Sequence, residues 1–133
     1  MPKDIGSVLA ICLFVCSAGC GSSQTLVVTT IQLGRAVNAD STVSGFTTTF
    51  APTDTVHLAV LTNGAGSATI GVRWVFAGRV IDEPKKQVSY RGAAATDFRL
   101  QSPSEFPVGD YTAEIFLNGQ SIGTRSFKVE KGR

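Results

Sequence analysis

Apolar residues recur at every second position through most of this chain, and no stretch sustains the 3.6-residue repeat of an amphipathic helix. Val56, Leu58 and Val60 alternate with His57, Ala59 and Leu61. Ile70, Val72, Trp74 and Phe76 alternate with Gly71, Arg73 and Val75. Tyr111, Ala113, Ile115 and Leu117 alternate with Thr112, Glu114 and Phe116. Successive side chains of a strand point to opposite faces, so each set reads as a strand with one face on a core. Glycine and proline punctuate the pattern, and the spacing predicts strands over 25–34, 44–50, 55–62, 69–77, 79–82, 86–91, 96–101, 110–117 and 120–130. Seven to nine short strands with no helix predict an all-β, two-sheet antiparallel sandwich, with a small barrel as the alternative.

The turn residues agree with that pattern. Asn118-Gly119 lies between two strand runs, and a type I′ hairpin turn needs positive φ at both central residues. Asn63-Gly64 ends the Val56 strand, with loop from Gly64 to Ala68. Asp82-Glu83-Pro84-Lys85-Lys86 reads as a charged turn, and Ser102 to Pro107 as a loop with two prolines. The last hairpin contains a conflict. A two-residue turn pairs Ile115 with Ile122, and strict pairing from there turns Phe127 and Val129 outward. One extra residue near Gly123 returns both to the core, so a β-bulge is predicted at Gly123.

The first twenty residues belong to a different kind of segment. Ile5 to Cys16 is an uncharged run of 12 residues after Lys3 and Asp4. That is short of the ~20 apolar residues a membrane-spanning helix needs and has the length of a signal-peptide core. Ser17-Ala18-Gly19-Cys20 follows, and it resembles the lipobox of bacterial lipoproteins, although Ser17 stands where an aliphatic residue is usual. The resemblance implies cleavage before Cys20, lipid attachment to the Cys20 thiol, and anchoring by acyl chains without a spanning helix. Gly21 in place of an aspartate then implies transport to the outer membrane, on its periplasmic or surface face, where the cell has two membranes. Two alternatives stay open: ordinary signal peptidase cutting at the same bond, which releases a soluble protein, and retention of the leader as an anchor. The organisation expected is a signal peptide over 1–19, a lipidated tether over 20–25 and a β-sandwich domain over 26–133.

Composition bounds what the body can do. Cys12, Cys16 and Cys20 are the three cysteines, so beyond Cys20 there is no thiol for a disulfide, a Cys-type zinc site or cysteine catalysis. Removing the first 19 residues leaves 114, enough for one domain, with a formal charge of +2 spread along the chain. Nucleic-acid binding would want a basic stripe with interleaved aromatics, which is absent from the sequence.

Residues from about 48 to 129 resemble an immunoglobulin-like domain of uncharacterised bacterial lipoproteins. The resemblance rests on Thr49-Phe50-Ala51-Pro52-Thr53-Asp54-Thr55-Val56, Arg73-Trp74-Val75-Phe76, Phe106-Pro107-Val108-Gly109-Asp110-Tyr111, Ile115-Phe116-Leu117-Asn118-Gly119 and Phe127-Lys128-Val129. It implies that Trp74 is buried against the opposite sheet and that Tyr111 is a tyrosine corner. It specifies fold and hardly any function.

Candidate chemistry is sparse. His57 is the sole histidine, and Asp54 and Asp40 show no ligand spacing around it, so it reads as an outward or interface residue rather than a metal ligand or base. Asp82-Glu83 are adjacent in a turn and point apart, unlike a glycosidase pair. Gly64-Ala65-Gly66-Ser67 lacks the lysine and helix of a phosphate loop. No catalytic residue, metal site or cofactor is therefore expected, and the chain reads as a non-enzyme. Phe116 and Leu61 take outward phases, either as a partner site or covered by the 25–50 segment. The loops Gly64–Ala68, Asp82–Lys86 and Gly92–Thr96 are expected to form a recognition end. The leading expectation is a lipid-anchored module of the cell envelope with a protein partner or a structural role. The alternatives are a module binding envelope glycans through Tyr90 and Phe116, and a small inhibitor of a secreted hydrolase.

Overall fold

Strands form where the period-2 pattern predicts them, and they divide between two sheets. The computed structural model describes residues 26–132; the expected signal peptide, Cys20 and the tether lie outside the described residues. Ten strands follow in order: β1 (Val27–Val37), β2 (Val43–Phe46), β3 (Thr49–Phe50), β4 (Val56–Asn63), β5 (Gly66–Phe76), β6 (Arg79–Asp82), β7 (Lys85–Tyr90), β8 (Ala94–Leu100), β9 (Gly109–Leu117) and β10 (Gln120–Val129). One sheet has the order β2-β1-β4-β8. The other runs β3-β10-β9-β5, with β6 and β7 both on the free side of β5.

Between the sheets lies one apolar core. Val56, Leu58 and Val60 of β4 and Phe98 and Leu100 of β8 meet Ile70, Val72 and Trp74 of β5, Tyr111 and Ile115 of β9, and Phe127 and Val129 of β10. Trp74 is fully buried, with Phe127 edge-on at 6.0 Å between ring centroids. Tyr111 stacks between Phe76 at 4.4 Å and Phe127 at 5.2 Å. The Tyr111 hydroxyl donates to the Pro107 carbonyl at 2.6 Å, four residues upstream, which is a tyrosine corner. Burial pushes the Tyr111 phenol above its ordinary pKa.

The last hairpin carries the extra residue its apolar pattern demands. Asn118 and Gly119 have φ of 52° and 83°, as a type I′ turn requires. Ser121 pairs with Phe116, but Ile115 pairs with Gly123, so Ile122 is the bulged residue immediately before the expected position. Phe127 thereby comes opposite Tyr111, and both face the core. The turn is also tied to β5, since the Thr69 N–H donates to Asn118 Oδ1 at 2.9 Å and the Asn118 N–H to the Thr69 carbonyl at 2.8 Å.

Two expectations need correction. The predicted strand 44–50 is two strands in different sheets: β2 pairs with β1, whereas β3 runs parallel to the end of β10. The chain crosses between sheets at Thr47, whose hydroxyl accepts the Thr49 N–H and closes a local turn that competes with strand pairing. The charged segment Asp82–Lys86 is not a turn that reverses the chain. β6 and β7 continue along the same edge of β5, Asp82 opposite Trp74 and Lys85 opposite Gly71, with the Val72 N–H bonded to the Pro84 carbonyl at 3.1 Å between them.

Candidate functional site

β4 is buried on both faces from Val56 to Val60, which a strand half-exposed to water would not be. The cover on its outer side comes from the β1–β2 hairpin. The Gln32 side chain, opposite Ala59, accepts the Val43 N–H at 3.1 Å. A Cβ on Gly34 would run into the Val43 side chain and into the Gly45 and Ser44 carbonyls, so only glycine lets Val43 lie there. The 38–42 turn then overhangs Leu61. Asp40 and Thr42 line a cleft of about 360 Å³ with Thr29, Leu61, Asn63 and Ala95. Asp40 is committed to the turn itself: its carboxylate accepts the Thr42 N–H and hydroxyl, and these bonds hold its pKa below the usual carboxylate value.

His57 lies under this cover, which corrects its expected place as an outward or interface residue. It is buried, and its Nδ1 stands 3.8 Å from Oδ1 of Asp97, with neither atom otherwise partnered. Spacing along the chain could not find Asp97, because the two residues meet through the register of β4 on β8, where His57 pairs with Arg99 and Ala59 with Asp97. The pair is too far apart for a direct hydrogen bond. Among the described residues no group of three or more His, Cys, Asp or Glu side chains stands in metal-binding arrangement.

On the outer face of the second sheet, Arg73 holds together the residues singled out there. Its Nε meets Glu83 at 2.9 Å, its Nη1 lies 3.5 Å from Glu114, and its guanidinium sits 4.7 Å above the Phe116 ring. Glu114 also accepts the Ser121 hydroxyl at 2.7 Å. Phe116 is therefore covered by Arg73, not by the 25–50 segment and not open as a platform. Glu83 is held by Arg73 instead of pointing free into water, while Asp82 bonds only the Glu83 N–H among the described residues. Tyr90 is likewise engaged, with its hydroxyl 2.8 Å from that of Thr96.

The three loops expected to form one recognition end do not come together. Asn63 pairs with Val27, and Gly66 with Tyr90, so the 63–66 and 91–93 connections lie at the end where β1 begins. Asp82–Lys86 lies along the middle of an edge. The opposite end is built from 51–55, 77–78 and 101–108, with Phe106 N–H bonded to the Pro52 carbonyl at 2.9 Å. There, a groove of about 240 Å³ opens between β6 and the end of β8, lined by Phe76, Ile81, Leu100, Pro103, Phe106 and Pro107. Sequence pattern marked these residues as core and loop and gave no sign that they share a groove.

No family model matches the chain, and no curated protein matches it. Among solved structures, it is similar to the crystal structure of an immunoglobulin-like protein from Pseudomonas aeruginosa. The two share 13% identity at a TM-score of 0.53, over 83% of this chain and 100% of that one. At that identity the likeness carries the fold alone, and the fold is an immunoglobulin-like β-sandwich.

Proposed function

We propose that this chain is a lipid-anchored, extracytoplasmic protein whose immunoglobulin-like domain is a protein-binding or structural module of the bacterial envelope. Cys20 is the lipid-attachment residue in this reading, and the outer membrane, on its periplasmic or surface face, is its address. The observation that carries the binding part is the difference between the two ends of the sandwich. Where β1 begins, the connections Asn63-Gly64-Ala65, Arg91-Gly92-Ala93 and Asn118-Gly119 are small, and the cleft beside them is roofed by the 38–42 turn, whose Asp40 is spent on Thr42. The far end holds the apolar groove beside Ile81, flanked by exposed Val108 and by Asp82 and Glu105. β4 separates the two ends by eight residues, roughly 25 Å at ~3.3 Å each. A tether at the first end would thus hold the grooved end outward, at high effective concentration near membrane partners.

Glycan binding has less support. Trp74 is buried, Tyr90 and Phe116 are engaged, and Phe46 is the freely exposed aromatic among the described residues. A single ring is a poor sugar platform.

Two measurements test the proposal. Metabolic labelling with a palmitate analogue should mark the wild-type chain and not Cys20→Ala; an unlabelled wild type rejects the anchor. A photocrosslinking amino acid at Val108 should capture one envelope protein in cells, and the same probe at Gly92 should not. Crosslinks of equal pattern from both positions reject the grooved end as the binding end.

A further inference from the structure

β6 is an edge strand whose outer side is unpaired among the described residues, and it lacks the lysines, the preceding proline and the bonds to β8 that its neighbour has. Edge strands expose rows of backbone donors and acceptors, and proteins blunt them with lysine, proline, bulges or a covering segment. β7 uses most of these devices. It starts after Pro84 with Lys85-Lys86, the Lys86 ammonium reaches the Asp97 carbonyl of β8, and Tyr90 reaches Thr96. β6 has four exposed residues, Arg79, Val80, Ile81 and Asp82, with Val80 at 53% and Ile81 at 44% of full exposure.

The register of β6 gives it an unusual symmetry. Arg79 pairs with Phe76, Val80 with Val75 and Asp82 with Trp74, so Ile81 is an extra, bulged residue. Opposite residues in an antiparallel pair share a face. Arg79 and Asp82 therefore lie on the same face, two ladder positions apart, with Val80 between them on the other face. Without the bulge, their separation of three residues would put them on opposite faces. A two-fold axis perpendicular to the sheet at Val80 reverses the strand and keeps its faces. It sets Val80 against the partner's Val80, Arg79 against the partner's Asp82, and Asp82 against the partner's Arg79. Neither charge is engaged by another side chain among the described residues: Arg79 forms no ion pair there, and Asp82 meets only the N–H of Glu83.

We propose that β6 is a homodimerisation edge, on which a second copy of this chain adds antiparallel about a two-fold axis at Val80. The contact is isologous, so it closes with two copies and does not propagate. Four residues per copy make a small interface, and attachment to one surface would favour it by raising the local concentration. The gain from a shared surface rests on the anchor proposed above, whereas the pairing does not, and Ile81 and Asp82 also border the groove at the far end.

Cysteine crosslinking of the full chain in its native membranes tests it. Residues directly opposite in an antiparallel pair have Cβ atoms about 4.5–5.5 Å apart, close enough for oxidation to a disulfide with small adjustment. Val80→Cys should give a disulfide-linked dimer on mild oxidation beyond any that the wild type gives through Cys20, and Ile122→Cys, exposed on the far side of the sheet, should add none. Adding Arg79→Asp places like charges opposite at two symmetric positions and should cut the yield roughly tenfold. Adding Asp82→Arg to that variant restores opposite charges and should restore the yield. All four residues are exposed, and far-UV circular dichroism of each variant checks that it remains folded. Equal dimer from Ile122→Cys, an unchanged yield with Arg79→Asp, or no rescue by the double exchange each overturns the proposal.

Discussion

Deleting Ile122 and Gly123 together should do far more damage than deleting Ile122 alone. Ile122 is the bulged residue and is 38% exposed, and Gly123 already pairs with Ile115, so removing Ile122 closes the ladder and leaves Phe127 opposite Tyr111. That single deletion should change stability by no more than about 1 kcal/mol. Removing Gly123 as well slips the pairing beyond by one residue, which sets Phe127 opposite Thr112 and turns Phe127 and Val129 to the outer face. Each is buried in the native sandwich, and exposing a Phe or Val side chain costs about 1.5–3 kcal/mol. Phe127 also loses its ring contacts with Phe50, Trp74 and Tyr111, each worth about 0.5–1.5 kcal/mol beyond area. Together these come to about 5–10 kcal/mol, against a total stability of about 5–15 kcal/mol for a domain of this kind. The double-deletion variant should therefore lose its cooperative transition in urea followed by tryptophan fluorescence, with Trp74 exposed at the outset, while the single deletion keeps it. A double-deletion variant melting within a few degrees of wild type would show that the turn, not the strand, absorbs the missing residues, and the register argument would fall.

Trp74→Ala should cost about 3–5 kcal/mol in urea titrations, and Trp74→Phe clearly less, because phenylalanine keeps a ring beside Phe127 and the lost indole N–H has no partner. Gly34→Ala should lower the melting temperature by several degrees, since the new methyl meets backbone carbonyls that cannot move aside cheaply. Ala77 is exposed with φ of 52°, so Ala77→Gly should raise stability by about 0.5–1 kcal/mol in the same titrations. Tyr111 keeps its proton in the folded chain to higher pH than in the unfolded chain, whose phenol titrates near 10. Its contribution is thus full below about pH 10 and is lost as pH rises through the folded value. Tyr111→Phe should flatten the alkaline fall in melting temperature; an unchanged alkaline slope would place that titration elsewhere.

What could be read in the sequence was whatever one strand and its own turn decide. Burial on one side writes a period-2 pattern, so the strand positions, the Asn118-Gly119 turn and even the bulge at Ile122 followed from Phe127 and Val129 needing the same face as Tyr111. Pairings between distant segments leave no such mark. His57 and Asp97 are 40 residues apart and meet only because β4 and β8 share a register. The cover over Ala59 depends on Gly34 admitting Val43, and a glycine between Leu33 and Arg35 looks no different from one in an ordinary strand. The crossing at Thr47 was hidden for a similar reason, since Ser44-Gly45-Phe46-Thr47-Thr48-Thr49 has no apolar alternation to interrupt.

The misreading with most consequence lies at Asp82-Glu83-Pro84. Proline cannot donate to a ladder, so it marks a break in pairing, but the break looks the same whether the chain reverses or runs on. Had it reversed, β6 and β7 would pair with each other and neither would present this edge to solvent. Instead the Pro84 carbonyl still accepts the Val72 N–H, and Glu83 is fastened to Arg73 at 2.9 Å, so the kink is held and both strands stay on β5. The break then separates an edge blunted by Lys85 and Lys86 from one that carries Arg79, Val80 and Asp82 in self-complementary order. Arg73→Ala offers a way to tell the two roles of this segment apart. Loss of the Glu83 contact should loosen the kink and raise hydrogen exchange at Val72 and Pro84-flanking amides, while the Val80→Cys crosslink survives wherever β6 remains paired to β5. A crosslink that disappears without any change in exchange at β6 would mean that Arg73, not the edge, holds the two copies together.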